Sequence, residues 1–354
     1  MADKSNADQK DESVVTLAHG AGGGAMRSLL DDLVVPQFAG DGESTVTEPA
    51  VGLPELDDGA VHPVGDGAIV VTTDSHVVSP RFFPGGDIGK LAVAGTVNDL
   101  AVMGATQPTA LTCSLVLEEG TPTADVKRVI ESMAATASEA GVQISTGDTK
   151  VMENGEVDSI VVNTTGVAYV EGGAFVTDAG LEPGDRIIVS GTMGDHGISL
   201  LSAREGFDFT GDLESDVAPV NAIVAAALEA GEVTAMKDPT RGGLANALNE
   251  MAGKADVGIE LEDGAVPVNG AIASAGEVLG IDPLTVANEG KVVMAVAEAD
   301  AEVVLSAIRG VTGGEEAAIV GQVTEDHAGR VVVDTGFGRR YLSEPEGEAL
   351  PRIC

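Results

Sequence analysis

The sequence predicts an α/β (α+β) protein of two mixed domains, and three observations carry that expectation. The chain has 354 residues, more than one hydrophobic core ordinarily serves. Short strand-like apolar runs alternate with helical patterns through both halves. Between the halves lies a break at 171–184, where Gly172-Gly173 and Pro183-Gly184 bracket a stretch without strand character, and beyond it the same succession starts again. The expected organisation is a disordered leader at 1–13, a first domain at 14–172, a second at 173–341 and a mobile tail at 342–354.

The leader is polar and charged with no apolar run, so it reads as disordered and not as a signal peptide. A short apolar run at 14–17 leads into His19-Gly20-Ala21-Gly22-Gly23-Gly24, and a helix is expected at 26–33. The segment 61–73 carries a hairpin signal, Gly65-Asp66-Gly67 between two apolar runs, and its second strand, 68–73, ends on Asp74. A small-residue-rich helix follows at 89–103, then a strand around Cys113, a helix at 123–140, and strands near 143–146 and 159–169. The second half gives a strand at 186–190, a helix starting at Ile198, and helices at 219–230 and 243–252. Strands at 259–261 and 292–296, a helix at 301–309 and strands near 317–323 and 330–334 complete it. The tail has few apolar residues, and fully extended it would reach about 40 Å.

Composition narrows the function classes. A hydrophobic fraction of 44% supplies a core. The 57 acidic residues outweigh 19 basic ones to give a net charge of -38, which would repel nucleic acid and anionic membranes. The acids are scattered through the chain, a surface suited to high salt, where the Debye length shrinks to about 3 Å at 1 M. A salt-loving host is therefore expected. No apolar stretch approaches the ~18–20 residues of a membrane span, and the expected location is cytoplasmic.

The chemistry collects where strands end. Asp74 closes Thr72-Thr73-Asp74-Ser75-His76, Asp99 lies in Gly95-Thr96-Val97-Asn98-Asp99-Leu100, Asp148 in Gly147-Asp148-Thr149-Lys150, and Asp238 in Asp238-Pro239-Thr240-Arg241-Gly242-Gly243. Small neighbours let a ligand approach the backbone, and hard carboxylate oxygens suit Mg²⁺ shared with phosphate oxygens and water. Each Asp alone could equally be a turn former or helix cap. The glycine run at 19–24 is either a flexible turn or a nest of backbone N–H groups around a phosphate, and it is not a Walker A sequence.

Two cysteines remain. Cys113 sits in an apolar run and reads as a small buried hydrophobe. Without a secretory signal a disulfide is not expected. Cys354 is the last residue, too late for prenylation and with no side of a fold to stabilise, so it is an accident or an attachment point. Its own α-carboxylate should raise the thiol pKa, with Arg352 the nearby compensating cation.

Taken together, His19-Gly20-Ala21-Gly22-Gly23, Thr73-Asp74-Ser75-His76, Gly86-Asp87-Ile88-Gly89-Lys90, Asn98-Asp99-Leu100-Ala101-Val102-Met103-Gly104, Gly147-Asp148-Thr149-Lys150, Asp238-Pro239-Thr240-Arg241-Gly242-Gly243, Asn288-Glu289-Gly290-Lys291 and the terminal Pro351-Arg352-Ile353-Cys354 span essentially the whole chain. The sequence resembles the HypE family of hydrogenase maturation proteins. That family belongs to the superfamily of aminoimidazole ribonucleotide synthetase, selenophosphate synthetase and thiamine-monophosphate kinase. The Pro-Arg-Ile-Cys ending is specific to HypE.

The resemblance implies an ATP- and Mg²⁺-dependent carbamoyl dehydratase. A HypF-like carbamoyltransferase would load Cys354 with a carboxamide, and ATP would drive its dehydration to an S-cyanate. The cyanide would pass to a HypC/HypD-like iron-binding complex for [NiFe] hydrogenase. It implies further that Asp74, Asp99, Asp148 and Asp238 hold Mg²⁺ and phosphates, with His19, Gly20, Gly22, Gly23, Asn98, Arg241 and Gly242 at the nucleotide. Lys150 and Glu289 would act on the amide protons, and Glu289 is the simpler base, because neighbouring aspartates should raise the pKa of Lys150. The first domain would bind ATP and pair with that of a second copy. Two alternatives stand beside this: another ATP-dependent enzyme of the superfamily, of selenophosphate synthetase or small-molecule kinase type, and a non-catalytic thiol carrier or scaffold.

Overall fold

The computed structural model describes residues 14–20, 23–38, 49–206, 213–345 and 352–354. The leader and residues 346–351 of the tail lie outside these, as do Ala21 and Gly22 of the glycine run. Near the start, helix α1 (Gly23–Leu29) continues through a π-turn (Leu30–Val34) into α2 (Val35–Phe38), a longer helical stretch than 26–33.

Seven strands and two more helices form the first half. The strands are β1 (Ala60–Val64), β2 (Gly67–His76), β3 (Phe82–Phe83), β4 (Gly86–Asp87), β5 (Pro108–Glu118), β6 (Ile144–Met152) and β7 (Ile160–Glu171). Five of them make a sheet in the order β1-β2-β7-β5-β6, antiparallel except for β5 beside β6, while β3 and β4 form a separate ribbon. Helices α3 (Ile88–Val102) and α4 (Thr123–Glu139) accompany them. The Asp87 carboxylate caps α3 by accepting from the N–H groups of Gly89 and Lys90. Thirteen of the fifteen α3 residues are buried, because Gly89, Ala92, Ala94 and Gly95 let it press against sheet and α4 together. A side chain at Gly89 would collide with the Val129 carbonyl of α4.

The second half is a seven-stranded sheet with helices on both faces. Its strands are β8 (Arg186–Val189), β9 (Val233–Lys237), β10 (Gly258–Glu262), β11 (Val293–Val296), β12 (Ala318–Thr324), β13 (Arg330–Asp334) and β14 (Arg339–Tyr341), in the order β14-β13-β10-β12-β8-β11-β9. The helices are α5 (Asp195–Glu205), α6 (Asn221–Ala230), α7 (Gly243–Ala255), α8 (Gly270–Leu279) and α9 (Ala301–Arg309). Leu244, Leu248 and Met251 of α7 bury one sheet face, and Ile223, Val224, Val304 and Ile308 of α6 and α9 bury the other. One apolar cluster joins the halves: Leu91, Val97 and Met133 of the first meet Ile198, Leu200 and Ile272 of the second, and Ile353 completes it.

The strand expected near 143–146 runs on to Met152, so Asp148 and Lys150 lie within a strand and not beyond its end. Five elements carried no expectation: β3, β4, β9, α8 and β14. Among the described residues no helix is long and apolar enough to cross a membrane.

Candidate active site

A cavity of about 730 Å³ opens where the two halves meet, within the usual range for a small-molecule site. Its first wall comes from β2, whose alternation places Thr72, Asp74 and His76 toward α3, where Asp99 occupies the last turn. The Thr72 hydroxyl donates to Asp99 at 2.8 Å and fixes that carboxylate. Gly95 of α3 leaves room, since a Cβ there would stand 3.1 Å from the His76 ring and 3.4 Å from an Asp74 oxygen. The opposite wall is the end of β9 and the loop into α7, with Lys237, Asp238, Thr240 and Arg241, joined by Glu289.

Crowding of like charge dominates the electrostatics. Burial, with Asp74 and Asp238 beside it, pushes Asp99 well above the usual carboxylate range. Asp238 is raised by burial and by Asp58 and Asp74, and Glu289 by burial, Asp238 and Asp216. Asp57 rises to about 6 by burial and the neighbouring Asp178 and Asp58. Lys237 answers part of this charge with ion pairs to Asp58 at 2.9 Å, Asp178 at 3.1 Å and Glu250 at 3.5 Å. Even so, buried oxygens of Asp58, Asp238 and Glu289 find no hydrogen-bond partner among the described residues. Orphaned hard oxygens in a negative cavity fit a divalent cation. Among the described residues no group of three or more His, Cys, Asp or Glu side chains is arranged to hold a metal ion by itself.

Cys354 lines this cavity. Val77 N–H donates to the Cys354 main-chain oxygen at 3.0 Å and Ser79 N–H to Arg352 O at 3.2 Å, while Ile353 is buried in the cluster shared by the halves. Burial pushes the thiol up to about 11; Arg241 opposes the shift, and Glu289 and Asp74 add to it.

The sequence from 56–170 matches the AIR synthase related N-terminal domain and that from 182–334 its C-terminal domain. A carbamoyl dehydratase HypE from Cupriavidus necator is 47% identical over 343 residues, 96% of this chain and 95% of the relative. The chain belongs to the HypE family. A crystal structure of HypE in complex with ATP is 41% identical, covers 96% of this chain and 100% of its own, and superposes with a TM-score of 0.79. That of a HypE-HypF complex is 41% identical, covers 90% and 100%, and reaches 0.82.

Within this HypE chain the expected residues separate into groups. Asp74, Asp99, Asp238, Arg241, Glu289, Gly23 and Cys354 all line the cavity. Gly22 lies outside the described residues. His19 and Gly20 fall in a 3-10 turn away from it, with the His19 ring bonded to Thr16. Gly242 does not line it either; at φ +76° it turns the chain into α7. Asn98 differs from expectation: it does not line the cavity, and its amide donates to Ala218 O and Glu289 O and accepts from Val220 N–H, so it ties α3 to the Glu289 loop. Asp148 and Lys150 also differ, paired to each other at 3.1 Å on the exposed edge strand β6. Arg352 is not the thiol's compensating cation, because it pairs with Asp158; Arg241 takes that place. Both cysteines are free. Sequence reasoning missed Asp58, Lys237 and His76 as cavity residues; the signal available was Lys237-Asp238 at one strand end.

Proposed function

We propose that the chain is an ATP-dependent carbamoyl dehydratase that converts an S-carboxamide on Cys354 to an S-cyanate, the source of the cyanide ligand in [NiFe] hydrogenase maturation. The observation that carries this reading is the seating of Cys354 in an acid-lined cavity beside Arg241 and Glu289. ATP would activate the carboxamide oxygen as a leaving group, so that the oxygen departs on phosphate and both amide hydrogens leave as protons. Asp74, Asp99 and Asp238 would hold Mg²⁺. Glu289, with a buried oxygen that has no hydrogen-bond partner among the described residues, is positioned to take an amide proton, and Arg241 to balance charge near the sulfur.

The high thiol pKa supports a carrier that receives its cargo already activated, from a HypF-like carbamoyltransferase. A HypC/HypD-like iron complex would accept the cyanide. Exposed β6 is suited to meeting the first half of a second copy, and a homodimer of that kind would offer Asp148 and Lys150 to a neighbouring cavity. The charge of -38 supports a salt-rich cytoplasm as the setting.

The test is mass spectrometry of the C-terminal peptide after incubation with the carbamoyltransferase, carbamoyl phosphate and ATP. Loss of one water from the carbamoylated Cys354 peptide, dependent on ATP, is the expected result. A carboxamide that persists with ATP present would sink the reading.

A further inference from the structure

The main-chain oxygens of residues 352–354 are all engaged, and two of them by side chains of a single helix. His196 Nε2 bonds Ile353 O at 2.8 Å, and Arg204 bonds Arg352 O at 3.0 Å and Ser79 O at 2.7 Å. Both stand on α5, about two turns apart. The facing contacts, from Val77 and Ser79 N–H, belong to the first half, so the tripeptide lies between the halves.

His196 is held for this task. A carbonyl only accepts, so Nε2 carries the hydrogen and Nδ1 accepts from the Ser215 hydroxyl at 2.7 Å. Burial lowers the pKa of the ring, which keeps it neutral, and Phe83 meets it edge-on at 5.5 Å. Ser215 N–H in turn donates to Pro84 O at 2.9 Å. Gly85, at φ +87°, makes that approach possible, since a Cβ there would stand 2.6 Å from Ser215 O. The Pro84-Gly85-Gly86 turn therefore supports the ring that grips the tail.

We propose that His196 and Arg204 are positioning residues of a receptor for the C-terminal tripeptide, holding Cys354 in the cavity through its neighbours' carbonyls. The inference rests on the reading of Cys354 as the carrier. Neither residue touches the reacting atoms. Because the grip is on the backbone, it is indifferent to whether the sulfur bears hydrogen, carboxamide or cyanate, and it works by orientation alone.

The test uses the full chain as His196→Phe, His196→Gln and Arg204→Met. N-ethylmaleimide alkylation of Cys354 is read from the mass of the terminal peptide, which keeps Cys113 out of the signal. Phe retains a ring beside Phe83 but cannot donate, so alkylation is expected to rise about tenfold, as in Arg204→Met, and to return to the parental rate in His196→Gln. After carbamoylation, first-turnover cyanate formation should fall by a similar factor in His196→Phe with KM for ATP unchanged, and recover in His196→Gln. Unchanged alkylation in the two disruptive variants overturns the proposal, as does failure of Gln to rescue. Should His196→Phe not fold, Arg204→Met decides. Alkylation needs neither ATP nor carbamoyl donor, so absence of cyanate on the parental chain would remove the dehydratase reading and leave the positioning role to be judged by labelling.

Discussion

Cys354 rests in its cavity as a thiol. Burial raises its pKa from 9.0 to about 11, so its thiolate at neutral pH is about a hundredfold rarer than that of an exposed cysteine. The protonated form is the one the docked state favours; docking therefore contributes fully below pH 9 and fades as pH rises through about 11. Alkylation measured against pH should inflect near 11, and an inflection near 8.5 would mean that the sulfur reacts from an undocked tail. Glu289 offers a second check. Glu289→Gln keeps the shape but cannot accept a proton, and cyanate formation is expected to drop by about a hundredfold or more while carbamoylation continues. Loss of both steps together would point to misfolding. The sequence made the thiol's weakness readable but laid it to the α-carboxylate with Arg352 as the compensating cation; burial is the main cause, and the cation that opposes it, Arg241, is over a hundred residues away and comes close only through tertiary packing.

At the level of elements, two glycines aim the loop that follows β9. Gly242 and Gly243 have φ of +76° and +62°, and a Cβ on Gly243 would stand 2.8 Å from Val286 N and 2.9 Å from Leu284 O. Gly243→Ala should lower stability by about 1–3 kcal/mol and displace Arg241 from the cavity; an unchanged denaturation midpoint would contradict this. The motif around these glycines was legible from sequence. So was α3, whose small residues announce close packing on every side. Strand β9 was not: five residues, four of them buried, give neither alternation nor length enough to signal a strand. Helix α8 escaped for a related reason, since its Gly and Ala residues blur any apolar stripe. Asp148 read as the companion of the other acids because strand ends look alike in sequence; β6 in fact continues through it at the open edge of the sheet.

Across the whole molecule, one apolar cluster spans both halves while the chain carries a net charge of -38. Self-repulsion of that size is screened by salt, so the thermal midpoint should climb between millimolar and molar NaCl. A midpoint indifferent to salt would remove the argument for a salt-rich setting. Two halves with mixed layers were readable from the repeated succession of elements, whereas the seam between them was not. It depends on Asn98, which holds the Glu289 loop from across the molecule.

The tail's seat at that seam has a further consequence. The N–H groups of Val77 and Ser79 donate to the main-chain oxygens of residues 354 and 352, so these two hydrogen bonds are made when the tail is seated and broken when it leaves. Their hydrogen-exchange rates would thus keep a running record of how much of each catalytic cycle the carrier passes inside its own enzyme and how much on loan to others.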